Sequence, residues 1–486
     1  GYPLLINCDA ILIQNLTFDW DWDTKKLATL AVVQNVAEDH SYVDFIFPYG
    51  NEISPEDQWL TMNQFDPVTL TPGLEGGKEF WQDALTFLKT EQLADNELRV
   101  YHNGALHRLQ DGEHYLVRHH MYSGNVFNVN QCANISFRQI TIYSAAGMGF
   151  YLYHGTSHYQ ISDCKIINRP GTNRFITTTA DAIHCSNTNG FGWIENCEIS
   201  GMGDDCINIH NGISVVQELV SSKACLANNA ALFEIGDMVQ FRTSDFIDIG
   251  FSSRIMKISP VTDTTSRMVF ADDLPDEITG GAILSNTKYN ADHYVIRGNY
   301  FHENRARGLL LRTGWGLVEH NRFFRTQGAA ILIQVDVAKD WNEGTGLENI
   351  DVVNNVFDQC NVNDWSALID FSVNIPGGAA RYPIFKNLAF KNNQFINFPS
   401  RAFHLVSSEN LTIVDNIFIN DRPRTEESAD RETIWIERSR LITISDNKNV
   451  KSALIKEPLR VFLLDDASAE GLVIKNNELV SAIEQR

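Results

Sequence analysis

The chain has 486 residues, with 61 acidic side chains against 39 basic ones and a formal net charge of −22 at pH 7. A hydrophobic content of 43% suffices for a large core and excludes wholesale disorder. No run of about 18 apolar residues marks a membrane helix, and the acid excess argues against nucleic acid, which wants a basic stripe. Asparagine stands at 43 positions. With many Val, Ile and Phe this favours short strands joined by tight turns, because Asn tolerates left-handed backbone angles. The chain begins at Gly1 without Met or an apolar leader, as expected of a mature or trimmed chain whose export signal is out of view. The eight cysteines are scattered without a C-x-x-C pair, so their spacing supports neither zinc nor disulfides, and Cys132, Cys164 and Cys197 read as buried thiols.

Residues 1–18 open a repeating pattern of alternating apolar residues, then Asn, one residue, then Phe or another apolar residue. The pattern is interrupted over 19–112, where strand-like runs occur at Ala28–Gln34 and Tyr42–Phe47 and the spacing predicts a helix over Glu79–Lys89. It resumes over 113–211, with Cys164 and Cys197 in the Asn position. It breaks again over 212–285, where short strands are predicted at Met238–Arg242, Ser253–Ile258 and Met268–Phe270. Over 286–486 it returns at Asn299, Asn321, Asn355, Asn393, Asn416, Asn447 and Asn477. Such a repeat is the signature of a parallel β-solenoid, in which equivalent positions stack about 4.8 Å apart and inward positions are apolar. The expected fold is therefore all-β, a right-handed parallel β-helix with two inserted β-barrel-like modules.

The densest chemistry lies over Thr177–His210, which reads T-T-T-A-D-A-I-H and, one coil later, G-M-G-D-D-C-I-N-I-H. Asp181 precedes Asp204 and Asp205 by about one minimal coil, so neighbouring rungs bring it over one of the pair. Gly201 and Gly203 suggest a bend that lets both carboxylates reach one side. Clustered carboxylates repel, so one is expected to hold its proton as a general acid while a neighbour stays ionised as a base, the machinery of glycoside hydrolysis. His184 and His210 fall at matching places in their coils. They are candidates for binding sugar hydroxyls or orienting the carboxylates. Calcium binding or solvated turn aspartates is the plainer alternative.

The T-T-A-D-A-x-H and G-M-G-D-D-x-x-N-x-H pair resembles glycoside hydrolase family 110, the inverting exo-α-1,3-galactosidases. Leu16–Trp20, Val117–Tyr122, Thr141–Gly149 and the Asp336…Trp341-Asn-Glu343 element are similar to further elements of that family, so the likeness covers most of the chain. It implies a β-helix with two barrel insertions and a catalytic cluster of Asp181, Asp204 and Asp205, with Asp204 the expected acid and Asp205 and Asp181 holding the water. Arg118, His119, His184, Asn208, His210, Asp336, Trp341 and Glu343 are the candidate substrate contacts. Trp315 and Trp341 are candidate platforms for a sugar face. No metal and no cofactor are expected. The implied partner is a galactose-containing oligo- or polysaccharide, with no nucleic acid and no membrane, and an oligomer is open. A sulfated substrate would call on Arg118, Arg305, Arg307 or Arg312. A polymeric substrate argues for a periplasmic or extracellular location.

Two rivals stand beside this reading. Another β-helix hydrolase, of polygalacturonase or carrageenan type, shares the Asp pair, but a polygalacturonase wants an N-T-D where T-A-D stands here, and no G-H-G follows. A non-catalytic carbohydrate-binding solenoid would have no use for all three aspartates.

Overall fold

The computed structural model describes residues 3–49, 53–337, 341–378, 380, 382–398, 401–420, 433–450, 459–463, 465–478 and 480–485. The outermost ends of the expected 1–18 and 286–486 segments lie outside these.

Alternating apolar positions build three parallel sheets of twelve, eleven and ten strands, which the chain visits in turn on each coil. They are called here face 1, face 2 and face 3. Inward residues stack on their equivalents, as in the column Phe301, Phe323, Phe357, Phe395 and Phe418, whose successive ring centroids are 5.0, 4.8, 5.1 and 5.0 Å apart. Such stacking packs a core that no single coil could close.

The Asn repeat lies at the corner between faces 2 and 3. Each Nδ2 donates to the Oδ1 of the next Asn in the column, at 3.0 Å from Asn299 to Asn321 and 3.0 Å from Asn321 to Asn355. The same Nδ2 groups also donate to backbone carbonyls, of Ile194 and Ile296. Each Oδ1 further accepts a backbone N–H, so the side-chain amides from Asn299 to Asn447 are all hydrogen-bonded. The residue before each ladder Asn takes a left-handed angle, at Gly298, His320, Asn354, Asn392, Asp415, Asp446 and Asn476. Cys164 and Cys197 occupy the same column, since Lys165 aligns with Glu198 and Glu198 with Tyr300.

The second insert closes a six-stranded barrel over 213–286 and contains the three strands predicted there. The first insert differs from expectation in three ways. Its eight antiparallel strands form one sheet that, among the described residues, does not close into a barrel. It extends past residue 112, because His114–Arg118 pairs with Ala28–Val36 and Thr61–Asp66 inside that sheet. Over 79–89 there is a strand at Glu79–Trp81 followed by turns, and no helix. The apolar residues that suggested a helix, Phe80 and Leu85, pack instead into the insert's own core.

The insertion points position the site. The first module leaves the solenoid after a face 3 strand, at Thr17–Phe18, and returns before a face 1 strand, at Phe127–Asn130. The barrel leaves after the face 1 strand Ile207–His210 and returns before the face 2 strand Tyr294–Arg297. The two inserts therefore flank face 1 at opposite ends of its strands. Among the described residues no helix is long and apolar enough to cross a membrane.

Candidate active site

The three aspartates meet at the corner where face 3 turns into face 1. Ile183 aligns with Ile207 and Ile207 with Leu309, so Asp181, Asp205 and Arg307 occupy one stacked column. Asp204 sits one residue earlier in its coil. The turn before Ile207 is a bend rather than a strand, entered through Gly201 at φ 70°. Both carboxylates of the Asp pair thereby reach the same side, and one oxygen of each of Asp181, Asp204 and Asp205 lies within 4.8 Å of the others. All three are buried.

Each carboxylate has its own partners. Asp181 Oδ1 accepts the backbone N–H of Asp205 at 3.0 Å and its Oδ2 lies 2.6 Å from His184 Nδ1. Asp205 accepts the backbone N–H of Arg307 at 2.9 Å and its guanidinium at 2.8 Å. Asp204 accepts the Tyr122 hydroxyl at 2.8 Å and lies 3.5 Å from Arg305. Arg305 is itself held by a bidentate pair with Glu79 at 3.0 and 2.8 Å.

These surroundings separate the acidities of the Asp pair. Burial raises Asp205, the charges of Asp204 and Asp181 add to it against Arg307, and its pKa is pushed up to about 7. Burial also acts to raise Asp204, but Arg305, Arg307 and Arg118 outweigh it and hold that carboxyl below its ordinary value. Burial and the charge of Asp204 keep Tyr122 a phenol well above its ordinary range. The opposed directions favour a proton on Asp205 beside an ionised Asp204, the kind of pairing that acid–base hydrolysis uses. The arginines counter its negative charge, which argues against a cation as the resident partner of the trio.

Beyond Asp181 the polar contacts continue along face 1. His184 Nε2 is 2.9 Å from His210 Nε2, and His210 Nε2 is 3.6 Å from Glu343. Glu343 is ion-paired with Arg312, which also donates to Gln334. Burial, then the neighbouring His184 and Arg312, drives His210 well below the usual imidazole value, so it is neutral. Asn208 Oδ1, His210 Nδ1 and the Nε atoms of Arg307 and Arg312 are buried without hydrogen-bond partners among the described residues. Buried groups left unpaired in this way are what a polar ligand would satisfy.

The sequence candidates separate accordingly. His184, Asn208, His210 and Glu343 lie together on or against face 1. Asp336 supports them from a strand end, exchanging backbone hydrogen bonds with Glu343 at 2.9 and 2.7 Å and accepting from Asn374 at 3.0 Å. Arg118 is fully buried in the first insert, not exposed to substrate. It donates to the carbonyls of Thr179 and Gly203, both at 2.8 Å, and to Thr61 at 2.5 Å, clamping the two Asp turns from behind. A Cβ at Gly203 would lie 2.6 Å from Arg118 Nη1, so glycine is what lets this clamp close. His119 is bonded to Thr29 and to the Gln58 carbonyl inside the insert and is not brought to the trio. Trp341 is exposed and lines a groove with barrel residues such as Asn228 and Pro260. Trp315 stacks on His293 in an exterior column at the start of face 2.

Sequence reasoning missed Tyr122, Glu79 and Trp81, the last with the Arg305 guanidinium 4.8 Å from its ring. Arg305, Arg307 and Arg312, set aside for a sulfated substrate, are committed to carboxylates instead.

The family model described as "Right handed beta helix region" matches residues 269–418, and the solenoid is of that class. The chain is 25% identical to alpha-1,3-galactosidase A of Shewanella woodyi, over 90% of this chain and 74% of the relative. It is 24% identical to alpha-1,3-galactosidase B of Bacteroides thetaiotaomicron, over 91% of this chain and 75% of the relative. It is 26% identical to alpha-1,3-galactosidase B of Akkermansia muciniphila, over 78% of this chain but only 48% of that longer relative.

Proposed function

We propose that the chain, similar over most of its length to alpha-1,3-galactosidases and carrying the motif pair of glycoside hydrolase family 110, removes terminal α-1,3-linked galactose from oligo- or polysaccharides, in an exo-acting and inverting reaction. The observation that carries this reading is the Asp pair with opposed acidities at one solenoid corner, Asp205 raised to about 7 and Asp204 lowered. In this proposal the proton on Asp205 passes to the leaving glycosidic oxygen. Asp204, ionised beside it and tethered by Tyr122, takes a proton from the attacking water. This reverses the acid role expected for Asp204 from the sequence, and the reason is the arginine charge around it. Asp181 fixes the Asp205 backbone and links the trio to His184. His184, Asn208, His210 and Glu343 offer the donors and acceptors that hold the galactose hydroxyls. With Arg305, Arg307 and Arg312 paired to carboxylates, a neutral galactoside suits the site better than a sulfated one. Export to the periplasm or beyond belongs to the same proposal, since a polymer would be met there.

One observation favours a second reading of the stereochemistry. Inverting pairs stand about 6.5–9.5 Å apart and retaining pairs about 5–5.5 Å, while the trio's oxygens come within 4.8 Å of one another. A retaining route would make Asp204 a nucleophile. A panel of galactosides of defined linkage, followed by NMR from the first turnover, separates the readings. The proposal predicts β-galactose first, from α-1,3-linked substrates alone. Initial α-galactose would establish the retaining route, and no galactose from any α-1,3-galactoside would refute the activity.

A further inference from the structure

Away from the Asp trio, a cavity of about 460 Å³ opens where the barrel meets the solenoid. One wall is the barrel, through Gln240, Arg242 and Ser285; the other is built where successive coils enter face 2, through Asp292 before Tyr294–Arg297, Glu348 in Leu347–Val353 and Lys386 in Phe385–Lys391. None of Asp181, Asp204 and Asp205 lines it.

Its chemistry is mixed in a particular way. Arg242 Nη1 donates to Ser285 Oγ at 3.1 Å, and Lys386 Nζ donates to the Tyr382 hydroxyl at 2.7 Å. Three carboxylates, Asp248, Asp292 and Glu348, stand against these two cations around the same space. An anionic ligand would meet the carboxylates and a cationic one the guanidinium and ammonium. A neutral ligand rich in hydroxyls can use both signs, donating to carboxylates and accepting from Arg242 and Lys386. Phe246, Tyr289 and Tyr382 supply ring surface for the apolar face of such a ligand. Asn211 adds an independent sign of a ligand. It lines the cavity, it is 5% exposed, and its Oδ1 has no hydrogen-bond partner among the described residues.

We propose that this cavity is a second, non-catalytic binding site for a neutral saccharide unit, held by Arg242, Asn211, Tyr382 and Lys386 at the barrel–solenoid junction. The site is joined to the catalytic face through the chain itself. Asn211 follows His210, and its carbonyl accepts the N–H of Gly344, which follows Glu343, at 2.9 Å. A saccharide chain bound here would be anchored beside the strand end that carries His210. The inference does not depend on which glycoside the trio cleaves.

The test is equilibrium dialysis of the whole chain against radiolabelled D-galactose, comparing wild type with Arg242→Met, Lys386→Ala and Asp204→Asn. The proposal predicts one galactose equivalent per chain that survives Asp204→Asn and whose apparent affinity falls at least tenfold in Arg242→Met. Should Arg242→Met fail to fold, Lys386→Ala carries the comparison with the same sign. The proposal is overturned if every bound equivalent is insensitive to both cavity variants. A chain that releases no galactose from any substrate but keeps the Arg242-dependent equivalent would refute the proposed activity and leave this site standing.

Discussion

Face 1 carries two histidine–carboxylate clusters on its outward side, joined by one column with His210 two residues along from Asn208, and they behave in opposite ways. The column runs from Tyr151 through His184, Asn208, Leu310, Leu332 and Asp370 to His404. At its far end His404 is clamped by Asp370 at 2.9 Å and Glu437 at 3.0 Å, one carboxylate per ring nitrogen. Burial acts to lower it, but those hydrogen bonds win and lift its pKa to about 9. At the near end Asp181 turns to His184, while Asp205 and Glu343 are paired with Arg307 and Arg312, so burial leaves His210 neutral, with Nδ1 unpartnered. The same strand surface therefore yields a closed ion triad at one end and unspent hydrogen-bonding capacity at the other. The difference lies in which carboxylates reach the imidazole: Asp370 and Glu437 each meet a ring nitrogen of His404, although Glu437 also pairs with Arg438 at 3.3 Å, whereas Glu343 is paired with Arg312 and stands 3.6 Å from His210.

The comparison breaks most visibly at the aspartates. Asp204→Asn should lower kcat/KM on an α-1,3-galactoside by about 10³-fold or more, within the range that positioned acid–base groups supply, whereas His404→Gln should leave it within about twofold. Steady-state kinetics on the two variants decides this.

His210→Ala and His184→Ala come next, at about 10–100-fold, because each removes a hydrogen-bonding group without removing the reacting carboxyls. Their loss should fall mainly on KM if they bind hydroxyls, which substrate titrations will read.

The pH profile sharpens the contrast further. An acid with a pKa near 7 must be protonated to work, so kcat/KM should fall as pH rises through about 7. Arg307 lowers Asp205, so Arg307→Gln should move that alkaline limb to higher pH; a limb that stays in place would detach it from Asp205.

The smallest expected effect is on stability. His404 is raised above its unfolded value of about 6.5, so its contribution is complete below pH 6.5 and is lost as pH rises through about 9. The whole contribution is on the order of 2–3 kcal/mol. Thermal midpoints of wild type and His404→Gln should therefore differ at pH 6 and converge at pH 9.5.

The solenoid was legible because its stabilising contact is local and repeated: an Asn that must face its own equivalent one coil away announces itself at every turn. The Asp trio was legible for the same reason, its two motifs being one coil apart. What surrounds the trio was not. Arg305 meets Glu79 across 226 residues of sequence, and Tyr122 meets Asp204 across 82, so no spacing rule links them. The role of Arg118 depended on the first insert folding back over the Asp turns, which also explains why a residue expected to contact substrate is wholly buried. The helix expected over 79–89 failed because Phe80 and Leu85 satisfy a strand-and-turn packing as well as a helical one.

The central claim is that Asp205 holds the proton delivered to the leaving oxygen, and the leaving group tests it directly. Asp205→Asn should be measured on Gal-α-1,3-Gal and on 2,4-dinitrophenyl α-galactoside, whose departing phenolate needs no proton. The account predicts a loss of about 10³-fold or more on the disaccharide and much smaller loss on the activated substrate. Equal losses on both, or near-normal hydrolysis of the disaccharide, would contradict it.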